Sequence, residues 1–250
     1  MGKSVKRIFT LTERNLKEII REPLSLVFMI ALPLVMEILF YFIFHEHAAQ
    51  FEMKYLAPGI VVFSQAFLTL FTGLLIALDR ATSFLTRLYV SKARSFEFIF
   101  AYALAVLPVT LVQSVLFFLV GGIIDHSLFC PGMIFGILIS IVTSLFYIAV
   151  GILFGCICNE RSIGGISAII ITGQSVLSGM WFPVEGLSQG FIVLMKVMPF
   201  KNATMLVQNA VGGIANGFDD FVLPLLVVLG YTASAFIAAI AAFRHKMKTQ

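Results

Sequence analysis

The sequence predicts an all-α membrane protein with six spanning helices, and three observations favour this fold class. Hydrophobic residues make up 60% of the 250 residues and charged residues only 12%, whereas about 25% of the residues of a soluble domain are charged. Apolar stretches recur that reach the about 20 residues needed to cross a bilayer as a helix. Lysine and arginine are also divided unevenly between the segments that separate these stretches.

The first predicted element is an amphipathic helix at residues 3–21. Its apolar residues fall on one helical face, and positive charge is supplied by Lys3, Lys6, Arg7, Arg14 and Lys17. Such a helix lies flat in the headgroup layer of a membrane. Pro23 disfavours helical conformation at Glu22, so we expect the chain to turn into the membrane at that point.

Six predicted spans follow this helix. Five contain no Asp, Glu, Lys or Arg, and the first contains one acid, Glu37. An apolar piece after the fifth span is too short to cross and carries Lys196, so residues 183–200 are predicted to form a re-entrant segment. The spans cover residues 24–44, 56–78, 98–124, 132–158, 163–182 and 221–243.

The lysine and arginine distribution predicts the orientation. With the N-terminus inside, the inner segments hold fourteen of the 17 basic residues and the outer segments hold three. Because these residues accumulate on the cytoplasmic side of membrane proteins, both termini are predicted to be cytoplasmic. The longest charged inner loop is then residues 79–97.

Motifs for catalysis are scarce. No GxxxxGK[ST] phosphate loop occurs, so we do not expect ATP hydrolysis by that route. Cys156 and Cys158 have no histidine near them and are predicted to be packing residues. The spans hold no pair of nucleophile and base, which disfavours a membrane-embedded enzyme. Two GxxxG motifs, Gly132–Gly136 and Gly151–Gly155, are predicted to pack helices within the chain.

Glu37 is the one acid within a predicted span, 13 residues from its start. A carboxylate at that depth is costly unless it is paired, protonated or hydrated. Two interpretations stay open. In the first, Glu37 lies beside a substrate path; in the second, it is a structural group that bonds a neighbouring helix near the outer interface.

Residues 79–97 alternate charges with the apolar residues Phe84, Leu85, Leu88 and Tyr89. This spacing suits a short amphipathic helix. The loop is either solvated along the headgroups or a docking helix for a cytoplasmic partner, and we favour the docking helix.

Several short motifs occur in order along the chain: REP (21–23), ALP (31–33), YLAPGI (55–60), SGMWFPVEGL (178–187) and MPF (198–200). In this order the whole chain resembles the membrane subunits of bacterial ABC-2 type transporters. SGMWFPVEGL is the most specific part and is closer to the drug and antibiotic exporters than to the polysaccharide exporters. The first loop departs from the family, which often has Glu-Arg-Glu or Arg-Glu-X-Gly and a later Ser-Pro, where this chain has residues 79–82 and Ser91-Lys92.

The resemblance implies an assembly. Two permeases, identical or paralogous, would pair with two separately encoded ATPase subunits, which would bind the ATP and magnesium. No cofactor in this chain and no nucleic-acid partner are expected. Residues 79–97 would hold the coupling helix, with ATPase contacts from Arg80, Phe84, Leu85, Arg87 and Leu88.

The resemblance also implies a transport path between two permeases, near the first, second and fifth spans. The residues expected along it are Glu37, Gln65, Ser178, Met180 and Trp181. The substrate would be a hydrophobic or amphipathic drug, antibiotic, lipid or lipopeptide, exported across a bacterial cell membrane. The alternative is a proton-coupled secondary carrier, but such carriers usually bury several ionisable relay residues.

Overall fold

The computed structural model describes residues 2–82, 95–182, 186–213 and 218–249. Within these ranges the regular structure is helical throughout, so the predicted all-α fold is confirmed. The α-helices are α1 (Gly2–Arg21), α2 (Pro23–Phe44), α3 (Met53–Ala81), α4 (Ser95–Ile124), α5 (Pro131–Ile157), α6 (Glu160–Leu177), α7 (Gln189–Val197), α8 (Pro199–Gly212) and α9 (Leu223–Thr249). Short 3-10 turns lie at Ala49–Phe51 and His126–Leu128, and a π turn at Phe218–Val222 leads into α9.

Five of the described helices are long and apolar enough to cross a membrane: α2, α3, α4, α5 and α9. A sixth crossing results if α7 and α8, which meet at 73°, count as one broken span. The chain is therefore a multi-pass membrane protein. The predicted fifth span, residues 163–182, only overlaps α6, which ends at Leu177 and is not among the five. Because α6 opens with two charged residues and contains several polar ones, its apolar stretch is short.

Local sequence explains where several helices begin. Pro23, Pro131 and Pro199 occupy the first turns of α2, α5 and α8, where a missing amide hydrogen costs little. The side chain of Asn159 caps α6 by accepting from the amide of Ser162 at 3.1 Å. These signals place the helix starts independently of tertiary contacts.

Helix α3 forms the centre of the bundle. It contacts α2, α4, α5, α6 and α8. In its most apolar stretch of 18 residues, 72% of the residues are buried, compared with 17% in the corresponding stretch of α2. Residues such as Phe28, Val35 and Phe42 are exposed along α2 in the single chain. Helix α2 therefore faces lipid or another protein, while α3 faces its own neighbours.

Glycines set the closest helix contacts. A Cβ added at Gly151 or Gly155 of α5 would lie 2.8 or 2.9 Å from backbone oxygens of α3. A Cβ at Gly132 would collide with the backbone of Val211 in α8. Both GxxxG motifs thus bring helix backbones together within the chain, as predicted.

Candidate functional site

The predicted docking residues Phe84, Leu85, Arg87 and Leu88 lie outside the described residues, but both flanks of their segment are described. Each flank carries a buried acid. Asp79, near the end of α3, is 4% exposed, and Glu97, in the first turn of α4, is 2% exposed. Buried carboxylates need partners, so their contacts define the flanks.

Asp79 is held by two other helices. The two terminal nitrogens of Arg14 in α1 lie 2.5 and 2.6 Å from its two carboxylate oxygens, a two-point contact that fixes orientation as well as distance. Tyr102 of α4 donates its hydroxyl to the same carboxylate at 2.6 Å. Burial alone would lower the pKa of Arg14, but Asp79 and the neighbouring Glu18 outweigh it and raise the pKa.

Glu97 ties the other flank to the same helix. Its carboxylate accepts hydrogen bonds from the Ser4 hydroxyl and from Arg7, whose Nη1 lies 3.3 Å away. Farther along α1, the Thr12 hydroxyl donates to the carbonyl of Ala101 at 3.4 Å. One helix, α1, therefore bonds the residues on both sides of the undescribed segment.

Arg80, predicted to contact an ATPase, bonds α5 in this structure. Its Nη1 donates to the carbonyls of Gly155 and Cys158 at 2.8 and 2.9 Å. These carbonyls lie at the C-terminal end of α5, where the helix dipole favours a cation. The ATPase contact stays a prediction, and the described geometry makes Arg80 an anchor between α3 and α5.

Glu37, the first of the predicted path residues, is enclosed by the chain itself. It is fully buried, and neither carboxylate oxygen has a hydrogen-bond partner among the described residues. A Cβ added at Gly121 of α4 would lie 3.0 Å from its Oε1 and close to Leu128 and Met53, so this glycine makes room for the carboxyl group.

Gln65 lies in the interface between α3 and α5. Its Nε2 donates to the carbonyl of Ser140 at 2.8 Å, and its Oε1 accepts from the Thr143 hydroxyl at 2.9 Å. The hydroxyls of Ser140 and Ser114 are 2.7 Å apart and extend this contact to α4. In this state both polar ends of the Gln65 side chain are bonded to α5.

Ser178, Met180 and Trp181 lie together just after α6. The amide of Met180 donates to the Ser178 hydroxyl at 3.3 Å, and the Trp181 indole donates to the hydroxyl of Ser175 at 3.2 Å. The Trp181 ring centroid lies 4.7 Å from that of Phe40, which follows Glu37 by three residues in α2. Through Trp181, this segment therefore contacts α2 about one helical turn from Glu37.

A second network of buried hydrogen bonds, centred on Gln174, was not predicted from the sequence. The Tyr147 hydroxyl donates to Oε1 of Gln174 at 2.6 Å, and Nε2 of Gln174 donates to the Thr204 hydroxyl at 3.1 Å. It joins α5, α6 and α8. A glutamine inside an apolar run was the available signal, because an amide in lipid needs partners on neighbouring helices.

A family model described as ABC-2 type transporter matches residues 6–211, which run from within α1 into α8 and include both loop flanks. No curated protein matches the chain. Among the described residues, no group of three His, Cys, Asp or Glu side chains is placed to hold a metal ion.

Proposed function

Because this chain belongs to the ABC-2 type transporter family, we propose that it exports a hydrophobic or amphipathic substrate from a bacterial cell. The chain is the membrane permease component of such a transporter and not its ATPase. The substrate would be a drug, an antibiotic, a lipid or a lipopeptide. Export is supported by the SGMWFPVEGL motif, which is similar to drug and antibiotic exporters.

The family implies an ATPase partner, and we place its contact at residues 79–97. The inner position of this loop follows from the fourteen-to-three division of lysine and arginine, which also makes both termini cytoplasmic. Two permeases, alike or paralogous, would assemble with two ATPase subunits.

The observation that carries the proposal is that α1 bonds both flanks of this loop, through Asp79 and Glu97. A buried ion pair that loses one partner is strongly destabilised. When an ATPase displaces the loop, α1, α3 and α4 therefore move together rather than separate. Such rigid-body movement of packed helices is a common way to carry a conformational change between sites.

The transport path is proposed to run beside α2 and residues 178–181. Trp181 and Phe40 are in ring contact there, and Glu37 lies one helical turn away. Since Glu37 is enclosed in the described state, it would meet substrate only after α2 and α4 separate. The movement delivered through α1 would provide that separation.

Reconstitution with the cognate ATPase tests the proposal. We expect a complex of two permeases and two ATPases whose ATP hydrolysis rises with transported substrate. The chain alone is expected to show only background hydrolysis. Hydrolysis by the chain alone would contradict the proposal, and substrate uptake driven by a proton gradient without ATP would favour a secondary carrier.

A further inference from the structure

A cavity of about 110 Å³ lies between α1, α2, α3 and α4, next to the Asp79 contact, and its lining includes the exposed Glu22. Most of its wall is apolar, with Phe71 and Leu75 from α3 and Met29 from α2. One end of the cavity is lined by three acids: Glu18 of α1, Glu22 between α1 and α2, and Asp79 of α3. It is therefore an apolar space with carboxylates at one end.

Two groups in this wall have unused hydrogen-bonding capacity. Thr72 is fully buried, and its hydroxyl has no partner among the described residues. Glu18 Oε1 accepts from Arg14 at 2.6 Å, but its Oε2 is buried and has no partner within the described ranges. Buried polar groups are normally bonded, so both atoms point to a ligand that supplies donors.

The charge balance at the acidic end favours a cation. Burial raises the pKa of Glu18, and the charge of Asp79 raises it further, followed by a smaller contribution from Glu22. Arg14 and Arg21 act in the opposite direction without cancelling the shift. Arg14 is already bonded to Asp79 and to the other oxygen of Glu18. A positive group beside Glu18 Oε2 would stabilise the ionised carboxylate.

We propose that this cavity binds a small amphipathic amine, with its ammonium at Glu18, its apolar body against Phe71 and a hydroxyl at Thr72. An ammonium offers three donors. Thr72 and Asp79 are seven residues apart in α3, which corresponds to about 10 Å along the helix axis. An apolar cavity of about 150 Å³ holds a benzene molecule, so this smaller space takes no more than one small amine, whose ammonium lies at the acidic end, where the Glu18 side chain is 40% exposed.

This site goes beyond the proposed transport function, because the cavity lies within one chain. Binding there requires neither an ATPase nor ATP. Loss of binding and loss of transport are therefore separate results, and one does not decide the other.

The test uses the purified full chain in phosphatidylcholine nanodiscs, with tritiated tyramine as probe. Tyramine carries an ammonium, one ring and a hydroxyl. Saturable binding is expected, with displacement by unlabelled tyramine and much weaker displacement by 4-ethylphenol, which lacks the ammonium. Displacement by phosphatidylethanolamine added to the nanodiscs would assign the ammonium to a lipid headgroup at the same site.

Two substitutions with matched controls locate the probe. Glu18→Gln should weaken tyramine binding about tenfold, the effect of about 1.4 kcal/mol in binding free energy. Glu13→Gln should leave it unchanged, because Glu13 is an exposed acid on the same helix that pairs with Lys17. Melting temperatures of the unliganded variants verify that each one folds.

Thr72→Val should weaken tyramine but not phenethylamine, which lacks the ring hydroxyl. Thr232→Val in α9 is its control, since that hydroxyl is bonded to the Val228 carbonyl at 2.7 Å and lies outside the cavity wall. Equal displacement by 4-ethylphenol and tyramine would overturn the proposal. Unchanged tyramine binding in both Glu18→Gln and Thr72→Val would also overturn it.

Discussion

One buried carboxylate lies at each end of α3, Asp79 from α3 itself and Glu37 from the neighbouring α2, but their surroundings differ. At the C-terminal end, Asp79 receives two bonds from Arg14 and one from Tyr102. At the N-terminal end, beside Met53, Glu37 has no hydrogen-bond partner among the described residues. Both carboxylates lose hydration on burial, and only Asp79 is compensated. The paired acid holds three helices in one arrangement, while the unpaired acid favours any rearrangement that hydrates or pairs it.

The largest expected effect tests the paired end. Arg14→Met leaves Asp79 buried without its cation and should lower the free energy of unfolding by about 3 kcal/mol, the lower range for breaking a buried pair. We expect the lower range because the Arg14 side chain is 30% exposed. Unfolding by sodium dodecyl sulfate titration in mixed micelles measures this change.

Lys17→Met is the matched control, because it breaks an exposed pair between Lys17 and Glu13 on the same helix. It should change stability by less than about 1 kcal/mol. Equal effects of the Arg14 and Lys17 substitutions would show that the buried pair does not hold the helices.

The second prediction concerns the loop of residues 79–97, which begins at the paired Asp79 and is expected to bind the ATPase. A docking helix buries its apolar side, so Phe84→Ala or Leu88→Ala should weaken ATPase association by about 2 kcal/mol. The stability of the isolated permease should not change, because the loop is expected outside the bilayer. Co-purification with the ATPase and a transport assay measure the effect. Ser91→Ala is the control, and normal association and transport in both alanine variants would defeat the coupling assignment.

The third prediction concerns the unpaired end and has the opposite sign. Glu37→Gln keeps the shape and removes the ionisable group, so it should raise the free energy of unfolding by about 1 kcal/mol, since folding then no longer has to bury or neutralise an unpaired carboxylate. Transport of cationic substrates should change most. Glu46→Gln, at an exposed acid beyond the end of α2, should change neither quantity.

If Glu37→Gln destabilises the protein as much as Glu37→Ala does, the contrast between a paired Asp79 and an unpaired Glu37 is wrong. That result would show that the carboxylate has a structural partner. It would favour the structural interpretation over a role beside the transport path.

The smallest expected effect is at Arg80. Arg80→Met removes the bonds to the carbonyls of Gly155 and Cys158 and should lower stability by about 1 kcal/mol, with ATPase association retained. Arg161→Met, at an exposed arginine that opens α6, is the control. If stability is unchanged and ATPase association is lost, Arg80 contacts the ATPase as the family resemblance implies.

The sequence by itself determined the environment and the class of the fold. Apolar composition and helix-length stretches predict a helical membrane protein, because a backbone in lipid must bond within its own helix. The intramolecular packing of both GxxxG motifs was also predictable, since small residues let helix backbones approach. The match to the ABC-2 type transporter family confirms the resemblance at the family level.

Only the tertiary structure decided which sparse polar residues meet. Arg14 and Asp79 are separated by 65 positions, and no local pattern links them. Hydropathy also did not show that α6 falls outside the five spanning candidates or that α8 extends the bent pair to Gly212. Hydropathy and periodicity are local sums over one helix. The pairing of two polar groups depends instead on the rotation and height of one helix against another, which the packing of the whole bundle sets.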